Sequence, residues 1–215
     1  MDELAARRAL VDTAQRLDAD GLNHDATGNL SVRIDGGILV TPTGIPSREL
    51  RPEDNVALLD DGSQRDTDSR LPTSEWRLHV AQYRRPGVGA VVHTHSLEAT
   101  AAAVIRQPVP AVHYLVAAFG GSVLPVSPYA TYGTQELADN VAATLGDRYR
   151  ACLMANHGAV AVGTNLRGAA TRARDVEWLC GVWRRARELG DPVILDDAEL
   201  DRVRERFKTY GQPRP

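Results

Sequence analysis

The hydrophobic positions of this chain follow two periods, one typical of helices and one typical of strands. Over the first 20 residues the apolar side chains recur at helical spacing, and Gly21 marks the end of that helix. The segments NLSVRI and GILVT then read as strands around the turn residues Asp35, Gly36 and Gly37, which predicts a hairpin. The segment NVALLDDGSQ predicts a third strand that runs into another turn.

The middle of the chain mixes helices with buried strands. Helical spacing returns in SEWRLHVAQYRR, with Ser74 as the expected N-cap. The apolar run GVGAVVHTH predicts a buried strand, which leads directly into the alanine-rich helix SLEATAAAVI. Short strands are expected near AVHYL and SVLPV.

The C-terminal part predicts a strand pair flanked by helices. The pair is formed by ACLMANHG and AVAVG, and the expected helices cover 134–145, 165–189 and 196–207. No internal repeat or linker divides the chain, so residues 1–215 are expected to form a single α/β domain of three layers. Because the early strands are joined by hairpins, the central sheet should be largely antiparallel and covered by helices.

Composition and charge exclude several classes of partner. The 215 residues are 43% hydrophobic and 25% charged, with a net charge of −3 and a pI near 6.1. Nucleic acid and anionic membranes would require a basic face, so neither is expected as a partner. The charged, amphipathic N-terminus, the lack of a spanning apolar run and two isolated cysteines favour a cytoplasmic protein.

Two histidines close the central apolar strand. His93 and His95 are separated by one residue, so on a strand their side chains point the same way and can converge on one metal ion. His157 follows a second apolar strand and precedes Gly158. A single histidine in such a place is usually structural, but three in related contexts favour a metal site. The surrounding sequence does not fit a cupin, a metallo-β-lactamase or an amidohydrolase barrel.

A fourth ligand is suggested by LPTSEWRLH, where Glu75 would lie in the first turn of a helix. The alternative is that Glu75 only complements the helix dipole, and this stretch alone favours that alternative. Three loops rich in small and hydroxyl residues could direct N–H groups and hydroxyls at an oxyanion. The candidate anion-binding residues are Gly28, Asn29, Thr43, Gly44, Thr73 and Ser74.

Taken together, the motifs resemble those of the class II aldolase/adducin family. The segments TGNLSVR, TPTGIP, LPTSEWRLH, VVHTHS, PAVHYLVAAFGG, PYATYGTQEL, NHGAVAVG and FKTYG occur in the order seen in that family. The resemblance covers nearly the whole chain and is greatest for the branch that acts on L-fuculose 1-phosphate.

The resemblance implies the family fold and a zinc-dependent cleavage of a ketose 1-phosphate to dihydroxyacetone phosphate and a small aldehyde such as lactaldehyde. One zinc ion per subunit would be held by His93, His95, His157 and Glu75, with Glu75 also acting as the acid/base. The six loop residues named above would bind the substrate phosphate. Tyr114 would donate a proton to the aldehyde oxygen, and Tyr210 would help the tail, residues 207–215, to close the site. The family also implies a homotetramer with sites at subunit interfaces.

The lysine content agrees with this chemistry. A Schiff-base aldolase would need a buried lysine, whereas Lys208 is the only lysine and lies in the tail. Two positions depart from the family pattern. Thr73 stands where serine is usual, and Asn156 precedes His157 where a second histidine often stands.

Several alternatives remain at this point. An L-ribulose-5-phosphate 4-epimerase of the same family would carry an Asp-Thr-type stretch where this chain has Ser74, Glu75 and Trp76, so Glu75 favours the aldolase. Dehydratases and decarboxylases of the family are excluded less firmly. A non-catalytic adducin-like interaction module would be expected to lack the metal ligands. The sequence does not identify the aldehyde or the metal used in vivo, and it assigns no role to His79 or His113.

Overall fold

A computed structural model describes residues 2–66 and 70–211, and these form six α-helices and nine β-strands. The helices are α1 (Glu3–Ala19), α2 (Trp76–Tyr83), α3 (Leu97–Ile105), α4 (Gln135–Leu145), α5 (Leu166–Leu189) and α6 (Asp197–Phe207). The strands are β1 (Asn29–Ile34), β2 (Gly37–Val40), β3 (Val56–Leu58), β4 (Ala90–Thr94), β5 (Val109–Pro110), β6 (Val123–Leu124), β7 (Val126–Ser127), β8 (Ala151–Met154) and β9 (Gly158–Gly163).

Seven of the strands form one sheet in the order β3-β2-β1-β4-β9-β8-β7. Every neighbouring pair in it is antiparallel except β7 and β8, which are parallel. The predicted hairpin is present, with Ile34 opposite Gly37, so that Asp35 and Gly36 form the turn. The expectation of a largely antiparallel central sheet is confirmed.

Helices cover both faces of this sheet, as the prediction of three layers requires. One hydrophobic core lies between the sheet and α1, α3 and α5, and a second lies between the sheet and α2 and α4. Strand β4 serves both cores because its side chains alternate: Val92 enters the first and Val91 the second. Burial on both faces explains why β4 reads as a continuous apolar run in the sequence.

Two local predictions were wrong. Ser74 is not the N-cap of α2; Glu75 occupies that position without a side-chain capping bond, and the Thr73 hydroxyl accepts the Glu75 N–H instead. The strand expected near AVHYL is displaced: β5 ends at Pro110, just before this segment, and Tyr114–Phe119 form a 3₁₀ helix whose first turn is capped by His113 Nδ1. Short apolar runs do not by themselves distinguish a strand from a helical turn.

The C-terminal region ends in an exposed segment. Helix α6 is anchored through the fully buried Leu200 and ends at Phe207, after which Tyr210 is 90% exposed. The last part of the predicted tail, 212–215, lies outside the described residues, as do 67–69. Within the part of the chain that the structure describes, no helix is both long and apolar enough to cross a bilayer.

Candidate metal centre and active site

Strand β4 places the first two candidate ligands at the centre of the sheet. His93 lies within the strand, opposite Asn29 of β1 and Val160 of β9, and is fully buried. Its Nδ1 donates to the carbonyl of Ala159 at 2.9 Å, so Nε2 is the nitrogen that faces the site and that ligates a metal once it is unprotonated. His95 follows the end of the strand, and its Nε2 lies 2.9 Å from His93 Nε2.

The third histidine comes from the turn between β8 and β9. Asn156 there has a left-handed backbone with φ 53°, a conformation that asparagine tolerates better than most residues. The Asn156 side chain accepts a hydrogen bond from Arg106 Nε and is exposed, so it does not contact the metal ligands. The tight turn brings the His157 ring to 4.9 Å from those of both His93 and His95, measured between ring centroids.

Glu75 reaches the same point from the helical layer, on the face of the sheet that α2 covers. It precedes α2, is 5% exposed, and places Oε2 3.1 Å from His93 Nε2 and Oε1 3.3 Å from His157 Nε2. Asn29 Nδ2 donates to Oε2 at 3.0 Å. Oε1 is buried without any hydrogen-bond partner among the described residues.

These four side chains fit a divalent cation. One ligand atom from each of Glu75, His93, His95 and His157 lies within 4.8 Å of the others. Lone pairs and carboxylate oxygens that face one another in a buried space are costly unless a cation or a proton lies between them. Three imidazole nitrogens and one carboxylate oxygen match the donor set and number that zinc prefers.

The protonation states favour metal binding. Burial lowers the pKa of His95 to about 3 and that of His157 to about 4, and the neighbouring His93 contributes to both shifts. Burial would raise the pKa of Glu75, but the charge of His93 and its hydrogen bond outweigh this effect and lower the pKa far below the usual range. At neutral pH these three groups therefore already have the forms that ligate metals. For His93, burial lowers the pKa but the Glu75 carboxylate outweighs it and raises the pKa, so a metal ion must displace a proton from this ring.

A pocket of about 220 Å³ opens beside the cluster. Glu75, His95 and His157 form part of its wall, and the rest comes from the predicted anion-binding loops and from Tyr132. All six predicted phosphate-binding residues line it: Gly28, Asn29, Thr43, Gly44, Thr73 and Ser74. The structure thus brings together loops that are far apart in sequence, next to the candidate ligands.

The loops are held in place by backbone bonds that use some of the expected donors. The N–H of Thr43 bonds to the carbonyl of Leu71, and the N–H of Thr73 bonds to that of Thr41. Those two N–H groups are therefore not available to an anion, which leaves the hydroxyls and the remaining amides. Gly44 has a φ of +71° with open space around its α-carbon, as expected where a backbone must approach a ligand closely.

The two predicted tyrosines are not part of this pocket. Tyr114 and Tyr210 line a separate, apolar groove with Phe207 on the side of α6. Tyr114 is 49% exposed and stacks at 4.3 Å on His113, between ring centroids. Within one chain, therefore, neither hydroxyl lies in the wall of the metal pocket.

Two residues of the site were not predicted. Tyr132 lines the pocket and is 67% exposed; it lies in the quoted segment PYATYGTQEL but was given no role. His79 is fully buried and bonds through Nε2 to Asn29 Oδ1 at 2.6 Å. Asn29 in turn donates to Glu75, so His79 is connected to Glu75 through one intervening side chain. The spacing of Glu75 and His79, four residues apart at the start of a helix, was the available signal.

Comparisons with known proteins agree with this geometry. The sequence model of the Class II Aldolase and Adducin N-terminal domain matches residues 8–183. An L-fuculose phosphate aldolase of Escherichia coli O6:H1 is 42% identical over 213 residues, covering 98% of each chain. A 5-methylthioribulose-1-phosphate/5-deoxyribulose-1-phosphate aldolase of Rhodospirillum rubrum is 43% identical, covering 97% of this chain and 93% of its own.

The fold comparison gives the same result. A solved structure of an L-fuculose 1-phosphate aldolase superposes with a TM-score of 0.90 at 37% identity, covering 95% of this chain and 96% of that one. Family model, relatives and fold all extend over most of the chain, together with a cluster suited to a divalent metal. The chain belongs to the class II aldolase and adducin family, and it is a class II aldolase of the fuculose-phosphate aldolase type.

Proposed function

We propose that the protein is a zinc-dependent aldolase that reversibly cleaves a ketose 1-phosphate to dihydroxyacetone phosphate and a small aldehyde. The observation that carries this proposal is the convergence of Glu75 and three histidines beside loops suited to phosphate. Neither feature alone would define the reaction. Side by side, they match a substrate that presents a phosphate and a reacting carbonyl to the same pocket.

The phosphate is assigned to the loop side of the pocket. Gly28, Gly44 and Ser74 offer backbone amides, and Thr43 and Thr73 offer hydroxyls, on three different segments. Oriented dipoles of this kind can hold a dianion without a cluster of lysines or arginines. This agrees with a net charge of −3 for the whole chain.

The reacting end of the substrate is assigned to the ligand side. A zinc ion held by His93, His95 and His157 would supply a Lewis acid that stabilises the ene-diolate formed when the carbon–carbon bond breaks. Glu75 then exchanges the proton at the carbon next to the carbonyl. Its Oε1 is the oxygen suited to this task, because Oε2 already accepts a hydrogen bond from Asn29.

The aldehyde end is assigned to a neighbouring subunit. Tyr114 and Tyr210 lie outside the pocket of their own chain, in a groove beside α6. In a fourfold-symmetric homotetramer, as the family resemblance implies, this face would complete the site of the next subunit. Tyr114 would then protonate the aldehyde oxygen, and the tail from residue 207 would exclude water.

Three candidate substrates follow from the relatives, and all are ketose phosphates. The E. coli relative is named for L-fuculose phosphate, and the R. rubrum relative for 5-methylthioribulose 1-phosphate and 5-deoxyribulose 1-phosphate. The first would release lactaldehyde, and each of the other two would release its own small aldehyde. A cytoplasmic location belongs to the same proposal, and the buried free thiols of Cys152 and Cys180 support it.

The test is a substrate panel with the zinc-loaded protein. L-fuculose 1-phosphate, 5-deoxyribulose 1-phosphate and 5-methylthioribulose 1-phosphate are each incubated, and dihydroxyacetone phosphate is measured with a coupled dehydrogenase. Cleavage of at least one is expected. If none is cleaved while L-ribulose 5-phosphate is epimerised, the aldolase assignment is wrong and the epimerase assignment takes its place.

Glu75→Gln is the matched variant for this panel. It keeps the shape of the side chain but cannot take up a proton, so turnover should fall by about 10²–10⁴-fold. Three histidine ligands remain in this variant, so much of the zinc should stay bound. Turnover close to that of the unmodified protein would remove Glu75 from the proton-transfer step.

A further inference from the structure

Helix α2 and strand β1 share a row of buried polar side chains that ends at Glu75. On the helix side, Glu75, His79 and Tyr83 are spaced four residues apart and therefore lie on one face. On the strand side, Asn29 and Ser31 are two residues apart and also share a face. All five side chains are at most 8% exposed.

The five side chains alternate in one continuous hydrogen-bonded row. Tyr83 Oη lies 2.8 Å from Ser31 Oγ, which lies 2.7 Å from His79 Nδ1. His79 Nε2 lies 2.6 Å from Asn29 Oδ1, and Asn29 Nδ2 donates to Glu75 Oε2 at 3.0 Å. This row therefore connects the second core, where the Tyr83 side chain packs, with the carboxylate in the pocket.

The chemistry of the groups allows only one direction of donation along the row. A carboxylate accepts only, so Asn29 must present its NH₂ to Glu75 and its carbonyl oxygen to His79. An amide oxygen also accepts only, so His79 Nε2 must carry a hydrogen. Burial lowers the pKa of His79 to about 3, so the ring is neutral and Nδ1 accepts from the Ser31 hydroxyl.

We propose that His79, locked by Ser31 as its neutral Nε2–H tautomer, is a positioning residue that holds the Asn29 amide in the one orientation that donates to Glu75. This deepens the proposed function, on which its catalytic consequence rests. With Oε2 held by Asn29, Oε1 is left free to face the pocket and the His157 nitrogen. His79 itself lies outside the wall of the pocket and has no contact with the substrate space.

Without the His79 donor, the orientation of the Asn29 amide is held only by Glu75, and the buried Asn29 Oδ1 loses its hydrogen bond. Whenever the amide turns over, its carbonyl oxygen faces the carboxylate, and two acceptors repel each other. Glu75 would lose both its orientation and part of the stabilisation of its anion. Hydrogen-bond partners of metal ligands typically change metal affinity or activity by about 10–100-fold when they are removed.

The first experiment reads the tautomer directly and does not depend on activity. Histidine is labelled with ¹⁵N, and a ¹H–¹⁵N correlation through the ring hydrogens identifies which nitrogen of each ring is protonated. The His79 signal is assigned by its loss in His79→Gln. Protonated Nε2 and unprotonated Nδ1 are expected at neutral pH, and the opposite tautomer or a doubly protonated ring would overturn the proposal.

The second experiment compares two replacements of His79 with a control on the same helix. His79→Leu removes the donor, whereas the amide nitrogen of His79→Gln can reach the position of Nε2 and still donate to Asn29. We expect His79→Leu to lower zinc affinity or kcat by about 10–100-fold with KM changed less than about twofold, because His79 does not contact substrate. His79→Gln should recover most of the loss.

Val80→Ala supplies the control for packing damage. Val80 is 7% exposed, lies next to His79 on α2 and takes no part in the row. The Val80→Ala variant should have a lower melting temperature but an unchanged kcat and zinc affinity. The proposal fails if His79→Leu matches the unmodified protein in both quantities, or if His79→Gln is as impaired as His79→Leu.

These outcomes are separate from those that test the proposed function. If the unmodified protein cleaves no ketose 1-phosphate, the aldolase proposal fails, and kcat is undefined for every variant. The tautomer of His79 and the zinc affinities of the three variants still decide whether the row positions Glu75.

Discussion

The Glu75 carboxylate lies where burial and charge act on its pKa in opposite directions. Burial alone would favour the protonated acid, whereas His93, His157 and the Asn29 amide favour the anion. The anion prevails, so at neutral pH the side chain has the ionised form that metal ligation requires rather than that of a buried neutral acid. The same balance leaves it dependent on the partners that surround it.

The contribution of one candidate ligand to zinc binding is tested with His95→Ala. Among the described residues, His95 is one of three imidazoles in the cluster, and its loss leaves two imidazoles and one carboxylate, so tight binding should be abolished. For the unmodified protein, zinc at about 1,000 times its dissociation constant should add roughly 4 kcal/mol of stability, or about 8–16 °C in melting temperature. The variant should show almost none of this increase in a thermal melt with and without chelator. An equal increase in both proteins would refute the ligand assignment.

The buried neutral His79 makes stability depend on pH. Its pKa is about 3 in the folded protein and near 6.5 when exposed, so the unfolded state binds more protons between these values. The contribution of neutral His79 to the free energy of unfolding is complete above pH 6.5. It is lost as the pH falls through this window, by about 2 kcal/mol at pH 5. Urea unfolding of the zinc-free protein at pH 7 and pH 5 measures the loss.

His79→Leu is the comparison for this pH effect, because leucine does not titrate. Between pH 7 and pH 5 the free energy of unfolding of His79→Leu should fall by about 2 kcal/mol less than that of the unmodified protein. This holds even if the variant is less stable than the unmodified protein at both pH values. The other histidines contribute to both proteins and cancel in the difference. Parallel losses in the two proteins would mean that His79 is not held neutral by its burial.

At the scale of elements, the site depends on how closely β4 and β9 approach each other. Gly158 opens β9, and a β-carbon there would lie 2.3 Å from the Thr94 carbonyl oxygen and 3.5 Å from the His93 ring. The absence of a side chain at this one position therefore allows the two strands to carry their histidines to a common point. Helix α2 contributes in a similar way by bringing Glu75 over β1.

Gly158→Ala tests this close approach. The added methyl group must push the strands apart, which should cost about 1–3 kcal/mol of stability and weaken zinc binding. Gly168→Ala in α5 is the matched control, because its β-carbon would meet only side-chain atoms at 3.5 Å or more. The control should be neutral or stabilising by up to about 1 kcal/mol. Isothermal titration with zinc and urea unfolding measure both effects, and equal behaviour of the two variants would contradict the role given to Gly158.

At the scale of the whole molecule, one chain supplies a metal pocket and, elsewhere, the two tyrosines that the reaction is proposed to use. The pocket lies at the ends of the central strands β1, β4 and β9, and the Tyr114 groove lies beside α6. A shared site reconciles these positions, since a neighbouring copy can bring its tyrosines to the metal. On this proposal, the function would belong to the assembly rather than to the single chain.

Subunit complementation tests this arrangement. Glu75→Gln and Tyr114→Phe should each be nearly inactive as pure proteins. When both are co-expressed with different tags and assemble at random, about a quarter of the sites should combine an intact Glu75 with an intact Tyr114 from a neighbour. Turnover of the purified mixed oligomer should rise accordingly. No recovery in a mixed oligomer would place both residues in the same subunit's site.

The sequence by itself determined most of the elements and the four candidate ligands that the structure brings together. Helical and strand periods depend on neighbours within a few residues, so α1, α5 and the β1–β2 hairpin were predicted close to their observed bounds. The spacing of His93 and His95 likewise follows from the period of a strand. Predictions failed where a local signal was ambiguous, as at Ser74 and in the short apolar run around Tyr114.

Only the tertiary structure decided which distant residues meet and in what orientation. Asn29 and Glu75 are 46 residues apart, and their hydrogen bond exists because α2 packs on β1. The sequence spacing placed His79 on the same helix face as Glu75, but it did not show the role proposed for His79, because a buried histidine acquires a direction of donation only from the partners around it. The tyrosines show the same limit on a larger scale. Their distance from the pocket depends on how α6 packs, which no local pattern encodes.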